Sequence, residues 1–403
     1  MVNVAVLGFG TVGSGVAEVL TMNGAAIDKR AGVPVRLKYI LDVRDFPDSP
    51  YRDLFVKDFS VIENDPDLDV VVETIGGATV ALDFTRRALT AGKSVVTSNK
   101  ELVATHGYEL LQLAARKGVS YLFEASVGGG IPVLHPLTNC LVANEIEEVR
   151  GILNGTTNYI LTRMIRAGLS FEDALREAQA NGYAERDPSA DVEGHDACRK
   201  ICILSALSFG RHVYPDQVST QGITAVTLSD VAYAASCNCK IKLLGRAMRL
   251  ADGKICAYVA PHLVRADDPL SGVEDVFNAI CVRGNAVGDV MFYGRGAGKL
   301  PTASAVIADV VDIAKDVRVP KRNQWADGDK SLVCPPDGVD FRWYVRAEGA
   351  LDDARAALGE IIPLARADAP DGEIAFLTAP MTRAALDRAL AGRKVCSVLR
   401  LLP

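Results

Sequence analysis

The sequence predicts an α/β protein with a doubly wound parallel sheet, a second mixed α/β domain and a small α+β module at the C-terminus. Three observations predict this architecture. Short apolar runs alternate with helical patterns over residues 1–135, which is typical of a parallel sheet built from βαβ units. A glycine-rich turn directly follows the first run, and longer amphipathic helices begin at about residue 136. The length of 403 residues suits about two to three domains.

The first domain is predicted from five apolar runs bounded by turn residues, which read as buried parallel strands. These runs span residues 2–7, 35–43, 69–74, 94–97 and 121–124. Helical patterns follow the first run through Val16, Val19 and Leu20, and also span residues 81–91 and 107–117. Because strand and helix alternate throughout, residues 1–135 are predicted to form one doubly wound domain.

The chain from 136 to 318 is predicted to form the mixed α/β domain. Helices are predicted over 170–181 and 194–209, and strands within 232–249, 254–264 and 289–299. A further helix is predicted over 302–317, because one stripe carries Val306, Val310, Ile313 and Val317. Since this helix follows a glycine-rich turn, we expect it to return to the first domain.

The last part of the chain begins with a predicted linker over 319–339, which is rich in proline, glycine and charge. Residues 340–403 then predict three short strands and two helices, which would form the small α+β module.

Composition excludes several classes of protein. Apolar residues make up 49% and charged residues 23%, as in ordinary globular proteins. No apolar run approaches the ~18 residues that span a bilayer, and no signal peptide is recognisable, so we expect a cytoplasmic protein without a membrane partner. A net charge of −6 without a basic block predicts no nucleic-acid partner. The nine cysteines are expected to be free thiols.

The pattern Gly8-x-Gly10-x-x-Gly13 lies between a predicted strand and a predicted helix, the context in which it binds a dinucleotide. Its glycines permit a tight turn and a close approach of the backbone to a pyrophosphate. The N-terminus of the helix supplies amide donors and a positive dipole. Residues 1–135 are therefore predicted to be a Rossmann domain for NAD or NADP.

The choice between NAD and NADP depends on the end of the second strand. Asp42 would bind a ribose hydroxyl and favour NAD. Arg44, with help from Lys57, would meet a 2′-phosphate and favour NADP. The sequence offers both arrangements, and the preference stays open.

Carboxylates crowd the stretch 181–200: Glu185, Asp187, Asp191, Glu193 and Asp196. Asp196 and Lys200 lie four residues apart on a predicted helix and so share one face. They fit either a helix-face ion pair or a substrate site, where carboxylates would hold an ammonium group and the lysine would move a proton. Lys100 follows the fourth predicted strand at the carboxyl edge of the sheet, where doubly wound sheets bind ligands.

Several segments of the chain resemble the homoserine dehydrogenase family. These are GFGTVGSGV near the N-terminus, VVTSNKELVA at 95–104, FEASVGGGIPVL at 123–134, GILNGTTNYIL at 151–161, NGYAERDPSADVEGHDACRK at 181–200 and GRGAGKLPTASAV at 294–306. The resemblance covers residues 1–318. It implies an NAD(P)-dependent enzyme that interconverts L-homoserine and L-aspartate 4-semialdehyde in threonine, methionine and isoleucine biosynthesis, and it implies a homodimer or homotetramer.

The resemblance also implies roles for individual residues. Lys200 matches the catalytic proton donor and acceptor, and Lys100 matches a second active-site lysine. The implied substrate-binding residues are Glu185, Asp196, Asp191 and Gly182. The implied cofactor-binding residues are Gly8, Phe9, Gly10, Thr11, Val12, Gly13, Arg44, Lys57, Lys100 and Gly298.

A structural sodium site is implied as well, formed by the carboxylate of Glu124 and the backbone carbonyls of Val127, Gly129 and Ile131. Ligation by oxygen alone suits a hard cation. The alternative is a glycine-rich hinge with an ion-paired Glu124.

The segments FRWYVR at 341–346 and FLTAPM at 376–381 are similar to the ACT domain at the end of many family members, which binds amino-acid effectors. The family's Asp-Lys-Pro-Gly-Val turn is replaced here by AEGAL at 347–351, and the segment is short. The resemblance therefore implies either a regulatory role with an amino-acid effector or a dimer-stabilising role. With no kinase-like region before Met1, the chain resembles the monofunctional members.

The same residues disfavour two alternative functions. Another Rossmann dehydrogenase, such as an aspartate dehydrogenase, is disfavoured by the stretch 181–200. A nucleotide-sensing protein without turnover would be expected to lack Lys200, Lys100, Glu185 or Asp196, and all four are present.

Overall fold

The computed structural model describes residues 1–321, 323–329 and 331–403, and the chain divides into two compact units. The first unit comprises Met1–Glu145, Cys202–Pro215 and Gly294–Gly328. The second unit comprises Ile146–Ile201, Asp216–Tyr293 and Asp329–Pro403. None of the helices among the described residues combines the length and apolar character that a membrane crossing requires.

The strands, in chain order, are β1 (Val2–Leu7), β2 (Val35–Leu41), β3 (Phe55–Val56), β4 (Val70–Glu73), β5 (Ser94–Thr97), β6 (Tyr121–Leu122), β7 (Ile146–Ile152), β8 (Ser219–Thr220), β9 (Cys239–Arg249), β10 (Ile255–Arg265), β11 (Phe277–Gly284), β12 (Gly288–Arg295), β13 (Val333–Cys334), β14 (Arg342–Glu348), β15 (Ile361–Leu364), β16 (Glu373–Thr378) and β17 (Val395–Leu401). The helices are α1 (Thr11–Met22), α2 (Gly24–Ala31), α3 (Phe59–Glu63), α4 (Thr79–Thr90), α5 (Lys100–Lys117), α6 (Gly155–Ala167), α7 (Phe171–Ala180), α8 (Ser189–Val192), α9 (His195–Phe209), α10 (Leu228–Ser236), α11 (Lys299–Lys315), α12 (Leu351–Leu358) and α13 (Arg383–Ala389).

The first unit contains a six-stranded parallel sheet in the order β3-β2-β1-β4-β5-β6. After β3 at one edge, the chain crosses back and places β4 on the other side of β1. The sheet is therefore doubly wound, and a ligand is expected outside the carboxyl end of β1. This confirms the predicted doubly wound parallel sheet. The five predicted strands are all present, while the two-residue β3 at the sheet edge was not predicted.

Helix α11 packs against α1 and joins the apolar core of the first unit through Val306, Val310 and Ile313. Gly15 permits the close approach, because a Cβ there would lie 2.7 Å from the Lys299 carbonyl oxygen. Val317, predicted on the same stripe, lies beyond the end of the helix and is exposed.

Helix α5 begins earlier than predicted, at Lys100 rather than residue 107. Asn99 is the N-cap, and its Oδ1 accepts a hydrogen bond from the backbone N–H of Leu102 at 3.1 Å. This bond satisfies one of the amides that a helix start leaves unpaired. Lys100 is therefore the first helical residue at the carboxyl end of β5.

The second unit is built on an 11-stranded sheet, with the path β12-β11-β7-β9-β10-β17-β14-β16-β15 and with β8 and β13 paired to β10. The strands β7, β9, β10 and β11 pair antiparallel. Helix α6 packs on β9 and β11, which brings the N-terminus of α6 to one face of this sheet.

The C-terminal residues differ from the predicted linker and separate module. β17 continues the sheet from β10 through the pairs His262↔Arg400 and Leu263↔Leu401. The predicted linker contains β13, which also pairs with β10, and the buried Trp325 of the first unit. Residues 340–403 therefore extend the sheet of the second unit, and the structure does not confirm an ACT-like module.

A buried ionic network ties these C-terminal strands to α10. The Arg346 guanidinium donates to Asp230 Oδ1 at 2.9 Å and to Glu373 Oε2 at 3.0 Å. The Tyr344 hydroxyl donates to the same Asp230 oxygen at 3.0 Å. Asp230 is fully buried, so its charge depends on these donors.

We expect Arg346→Met to lower the free energy of unfolding by about 3–5 kcal/mol, because it leaves the buried Asp230 carboxylate without its cation. Urea denaturation followed by circular dichroism measures this loss. The matched control is Arg355→Met, which removes an exposed ion pair with Asp352 of 3.0 Å and should change stability little. Equal stability of the two variants would contradict the role given to the network.

Candidate active site

The turn after β1 is folded too tightly to accept a side chain at Gly8 or Gly13. Gly8 has a φ of +88°, and a Cβ at Gly13 would lie only 1.8 Å from the Gly8 carbonyl oxygen. A Cβ at Gly10 would meet nothing within 4 Å, so the backbone there is open to a ligand. No side chain caps α1, and its first turn carries no acidic residue. The turn therefore fits a dinucleotide pyrophosphate.

The Asp42 carboxylate is committed to neighbouring donors. Its Oδ2 accepts from the Phe9 N–H at 2.7 Å and from Arg44 Nη2 at 3.0 Å. Its Oδ1 accepts from the Arg44 N–H at 2.9 Å and from Arg44 Nε at 3.1 Å. Hydrogen bonds from Arg44 are the main cause that lowers the pKa of Asp42 to about 2. These four bonds use the acceptor capacity of a carboxylate.

Arg44 and Lys57 extend from the same corner toward solvent. The Arg44 side chain is 60% exposed and lies over the Phe46 ring at 5.1 Å. Lys57 Nζ donates to the Val43 carbonyl at 3.1 Å and pairs with Asp45 Oδ1 at 2.8 Å. Both cations therefore stay near the end of β2. A cavity of about 590 Å³, lined in part by Phe9, Phe46 and Tyr51, lies beside the turn.

A second cluster, in the second unit, is centred on Lys200. Its Nζ donates to Asp196 Oδ2 and to the Leu153 carbonyl oxygen, each at 2.7 Å. The two charged side chains are 9% and 7% exposed. The spacing of four residues on α9 brings them to one face, and burial makes this ion pair different from a solvated helix-face pair. The predicted association of Lys200 with Asp196 is present in the structure.

Asn154 completes this cluster between β7 and α6. Its Nδ2 donates to Asp191 Oδ1 at 2.6 Å and to Asp196 Oδ2 at 2.9 Å. Burial is the main cause that raises the pKa of Asp191, and repulsion from Asp196 adds to it. Neither Asn154 nor the Leu153 carbonyl was singled out from the sequence. An asparagine directly before a helix is an N-cap signal, but that signal does not show which other donors it makes.

Glycines allow the backbone to close around this cluster. A Cβ at Gly245 of β9 would lie 2.6 Å from Leu153 Cδ1 and 3.3 Å from Ile201 Cβ. A Cβ at Gly155 would lie 2.8 Å from the Val276 carbonyl oxygen. Leu153 and Ile201, the chain neighbours of Asn154 and Lys200, therefore occupy the space that a side chain at position 245 would need. The Val276 carbonyl occupies the corresponding space at position 155.

The other predicted substrate residues lie outside these hydrogen bonds. Glu185 and Gly182 are exposed in the segment between α7 and α8. The Glu185 carbonyl accepts from Gln179 Nε2 at 3.1 Å, and Gly182 has a φ of +72° after the end of α7. The structure brings Asp191, Asp196 and Lys200 together but leaves the Glu185 carboxylate apart from their hydrogen bonds.

Lys100 belongs to the first unit, at the carboxyl edge of the parallel sheet. Beside it, the Thr97 hydroxyl donates to Glu73 Oε2 at 2.6 Å, and Asn99 Nδ2 donates to the Gly77 carbonyl at 2.6 Å. Burial raises the pKa of Glu73. These bonds fix the segment from which Lys100 extends. Gly298, at φ +130°, is the N-cap of α11 in the same unit.

Glu124 makes contacts that the resemblance did not imply. Its Oε1 accepts from the N–H groups of Val133 and Leu134 at 2.6 and 3.0 Å, and its Oε2 accepts from the His135 N–H at 2.7 Å. Burial is the main cause that raises its pKa, followed by repulsion from Asp309. The carboxylate thus accepts three amide hydrogens and keeps acceptor capacity on Oε2.

The glycine segment after Glu124 is sharply wound. Gly128 and Gly129 have φ values of +73° and +56°, and a Cβ at Gly129 would lie 2.4 Å from the Gly296 carbonyl oxygen. His135 Nε2 lies 3.1 Å from Asp309 Oδ1, so Glu124, His135 and Asp309 present ligand-type atoms within 4.8 Å of one another. This cluster is a candidate metal site, and its ligand-type atoms include an imidazole nitrogen as well as carboxylate oxygens.

Two family models match most of the chain. Residues 8–124 match the NAD binding domain of homoserine dehydrogenase, and residues 132–311 match homoserine dehydrogenase itself. With the parallel sheet and the glycine turn, these matches define an NAD(P)-dependent oxidoreductase.

Relatives and solved structures agree with the family models. The chain is 40% identical to a homoserine dehydrogenase of Neisseria gonorrhoeae over 90% of this chain and 85% of the relative. It is 43% identical to one of Bacillus subtilis over 79% and 74%. The structure of a homoserine dehydrogenase from Thiobacillus denitrificans superposes with a TM-score of 0.90 at 36% identity, covering 100% of this chain and 98% of that chain.

The chain belongs to the homoserine dehydrogenase family. The reaction of this family is the NAD(P)-dependent interconversion of L-homoserine and L-aspartate 4-semialdehyde, in the biosynthesis of threonine, methionine and isoleucine. The resemblance and the activity predicted from the sequence motifs are confirmed.

We expect Gly13→Ala to abolish tight cofactor binding, because the new Cβ would collide with the Gly8 carbonyl and push the turn apart. Such overpacking should also cost about 1–3 kcal/mol of stability. Fluorescence titration with NADPH and NADH measures the affinity. The control is Gly24→Ala in α2, where a Cβ meets nothing within 4 Å. Wild-type affinity in Gly13→Ala would overturn this account of the turn.

Proposed function

We propose that this chain interconverts L-homoserine and L-aspartate 4-semialdehyde with Lys200 as the group that moves the hydroxyl proton. The observation that carries this proposal is the buried Lys200 ammonium, held by Asp196 Oδ2 and the Leu153 carbonyl at 2.7 Å each. A buried lysine with two fixed acceptors has a defined direction, which proton transfer needs.

The proton moves in opposite senses in the two directions of the reaction. In the oxidation of homoserine, Lys200 in its neutral amine form accepts the proton of the hydroxyl and becomes an ammonium. In the reduction of the semialdehyde, Lys200 donates a proton to the oxygen as negative charge develops on it. The bound nicotinamide supplies or accepts the hydride.

Carboxylates are proposed to receive the amino group of homoserine. Asp191 and Asp196 are held together by Asn154, and Glu185 is exposed in the segment that precedes them, together with Gly182. An ammonium group compensates clustered negative charge, which favours the ionised form of these acids. Lys100 is proposed as a second active-site lysine, which stabilises negative charge on the reacting oxygen.

For the cofactor, the contacts at the end of β2 favour NADP. Asp42 already accepts four hydrogen bonds, so a ribose diol would have to displace Arg44. Arg44 uses two of its five N–H donors on Asp42, and the others can bind a 2′-phosphate, with Lys57 nearby. A homoserine dehydrogenase from a hyperthermophilic archaeon was solved in complex with NADPH and superposes with a TM-score of 0.66 at 29% identity, covering 77% of this chain and 97% of that chain.

A sodium ion is proposed at Glu124 and the carbonyls of Val127, Gly129 and Ile131, where it would be a structural cation. The spare acceptor capacity of the buried Glu124 carboxylate supports it.

A homodimer or homotetramer is proposed from family membership. An amino-acid effector is proposed for residues 340–403, where a cavity of about 220 Å³ is lined in part by Arg383. Adding threonine to the activity assay tests the effector.

We expect Lys200→Ala to lower kcat by about 10²–10⁴-fold, the usual contribution of general acid–base catalysis, while NADPH binding stays intact. Initial rates with L-homoserine, followed by nicotinamide absorbance, measure the loss. The control is Lys254→Ala, which removes an exposed lysine paired with Asp252 at 3.4 Å and should leave the rate unchanged. A Lys200→Ala enzyme that keeps most of its rate would refute the proposed mechanism.

We expect Arg44→Ala to raise KM for NADP by about ten- to a hundredfold, the worth of one or two charge-assisted hydrogen bonds. KM for NAD should stay the same or fall, because NAD has no 2′-phosphate and the substitution frees Asp42 to accept from the ribose hydroxyls. The control is Arg36→Ala on β2, where an exposed arginine pairs with Asp28 at 2.7 Å. An equal effect on both cofactors would show that Arg44 does not contact the 2′-phosphate.

A further inference from the structure

Asn154 combines two tasks that fix the orientation of its side chain. As N-cap of α6, its Oδ1 accepts from the Thr157 N–H and the Thr157 hydroxyl, each at 2.9 Å. An amide whose oxygen must face these donors can point its nitrogen in only one direction. The two Nδ2 hydrogens therefore have a fixed direction before any carboxylate approaches.

The two carboxylates lie in that direction. One Nδ2 hydrogen bonds Asp191 Oδ1 at 2.6 Å and the other bonds Asp196 Oδ2 at 2.9 Å. Asn154 is 6% exposed, so water cannot easily replace it. A neutral group with two donors is what can bridge two anions that otherwise repel each other.

The same short segment also holds the lysine. The Leu153 carbonyl, one residue before Asn154, accepts from Lys200 Nζ at 2.7 Å. Asp196 Oδ2 is shared between Lys200 Nζ and Asn154 Nδ2. The β7–α6 connection thus touches both members of the buried ion pair.

We propose that Asn154 is a positioning residue of the reaction, which holds Asp191 and Asp196 side by side and aims the Asp196 carboxylate at Lys200. This inference rests on the proposed function of Lys200 and extends it to a residue outside the proposed substrate and cofactor contacts. Asn154 acts through the two acids and through the lysine that Asp196 holds.

The proposal has a consequence for pH dependence. The groups that face Asp191 are Asp196 and Lys200 of α9, and Asn154 and Thr156 at the start of α6. Burial and Asp196 raise the pKa of Asp191, while the Asn154 and Thr156 hydrogen bonds lower it. Removing the Asn154 donor therefore raises this pKa further. Binding of an ammonium group needs ionised Asp191. As the pH falls, the variant should therefore lose activity at a higher pH than the wild type does.

The experiment compares Asn154→Ser and Asn154→Asp, since serine and aspartate are both good N-caps and neither can donate two hydrogens to the acids. We expect Asn154→Ser to lower kcat/KM for homoserine about tenfold and to move the acidic limb of its pH profile up by about one unit, the equivalent of one hydrogen bond to a charged group. Asn154→Asp adds a third negative charge and should have the larger effect on both.

The control for a lost cap is Ser170→Ala in the same unit, since the Ser170 hydroxyl caps α7 by accepting from the Asp173 N–H at 3.1 Å. Its pH profile should match that of the wild type, whatever its thermal stability. A shift in Asn154→Ser but not in Ser170→Ala supports positioning, whereas a loss of stability with an unchanged pH profile and kcat/KM overturns it.

Lys200→Ala, measured in parallel, separates the two proposals. If Lys200→Ala is inactive while Asn154→Ser and Asn154→Asp behave as the wild type, only the positioning role fails. If Lys200→Ala remains active, the proposed function of Lys200 fails and the positioning role fails with it. NADPH titration of every variant reports whether its first unit is folded.

Discussion

The buried ion pair between Lys200 and Asp196 is the constraint on which the second unit is organised. Two charges removed from water are tolerated only when hydrogen bonds satisfy their remaining donors and acceptors. The Leu153 carbonyl and Asn154 amide provide such bonds, so the end of β7 must reach the first turns of α9. Gly245 makes room for this approach, because its missing side chain leaves space for Leu153 and Ile201. The close packing of β9 and α9 against the end of β7 therefore encloses this ion pair.

The first unit also depends on glycines, but there they shape a turn for a pyrophosphate. A pyrophosphate requires several backbone amides to converge on one point, and the turn from Gly8 to Gly13 achieves this by bringing backbone within 1.8 Å of where a Cβ would lie. In both units, glycine sets how closely elements approach. In the first unit the closeness suits the binding of a pyrophosphate, whereas in the second it encloses charges that belong to the chain itself.

Features with a local physical signature could be predicted from the sequence. Apolar runs gave the five main parallel strands, and the spacing of four residues placed Asp196 beside Lys200. Long-range pairings have no such signature, so the join of β17 to β10 through Leu263↔Leu401 was not predicted. The amide partners of Glu124 come from Val133, Leu134 and His135, and neither their contacts nor the bridging donors of Asn154 follow from residue type alone.

The carboxylates of the two sites differ in how fully the chain satisfies them, and this difference separates structural acids from acids that can receive a substrate. Asp42 accepts four hydrogen bonds and has no capacity left for a ligand. Asp191 accepts one from Asn154 and shares the Thr156 hydroxyl with the Tyr183 carbonyl. Asp191 is half-buried, its pKa is raised by that burial, and it is only partly satisfied, so it gains most from an incoming ammonium group. The same reasoning explains why Asn154 has to be neutral: a negative charge would repel both acids, and a positive charge would compensate them in place of the substrate. An amide lowers the repulsion and leaves the negative charge available for the substrate.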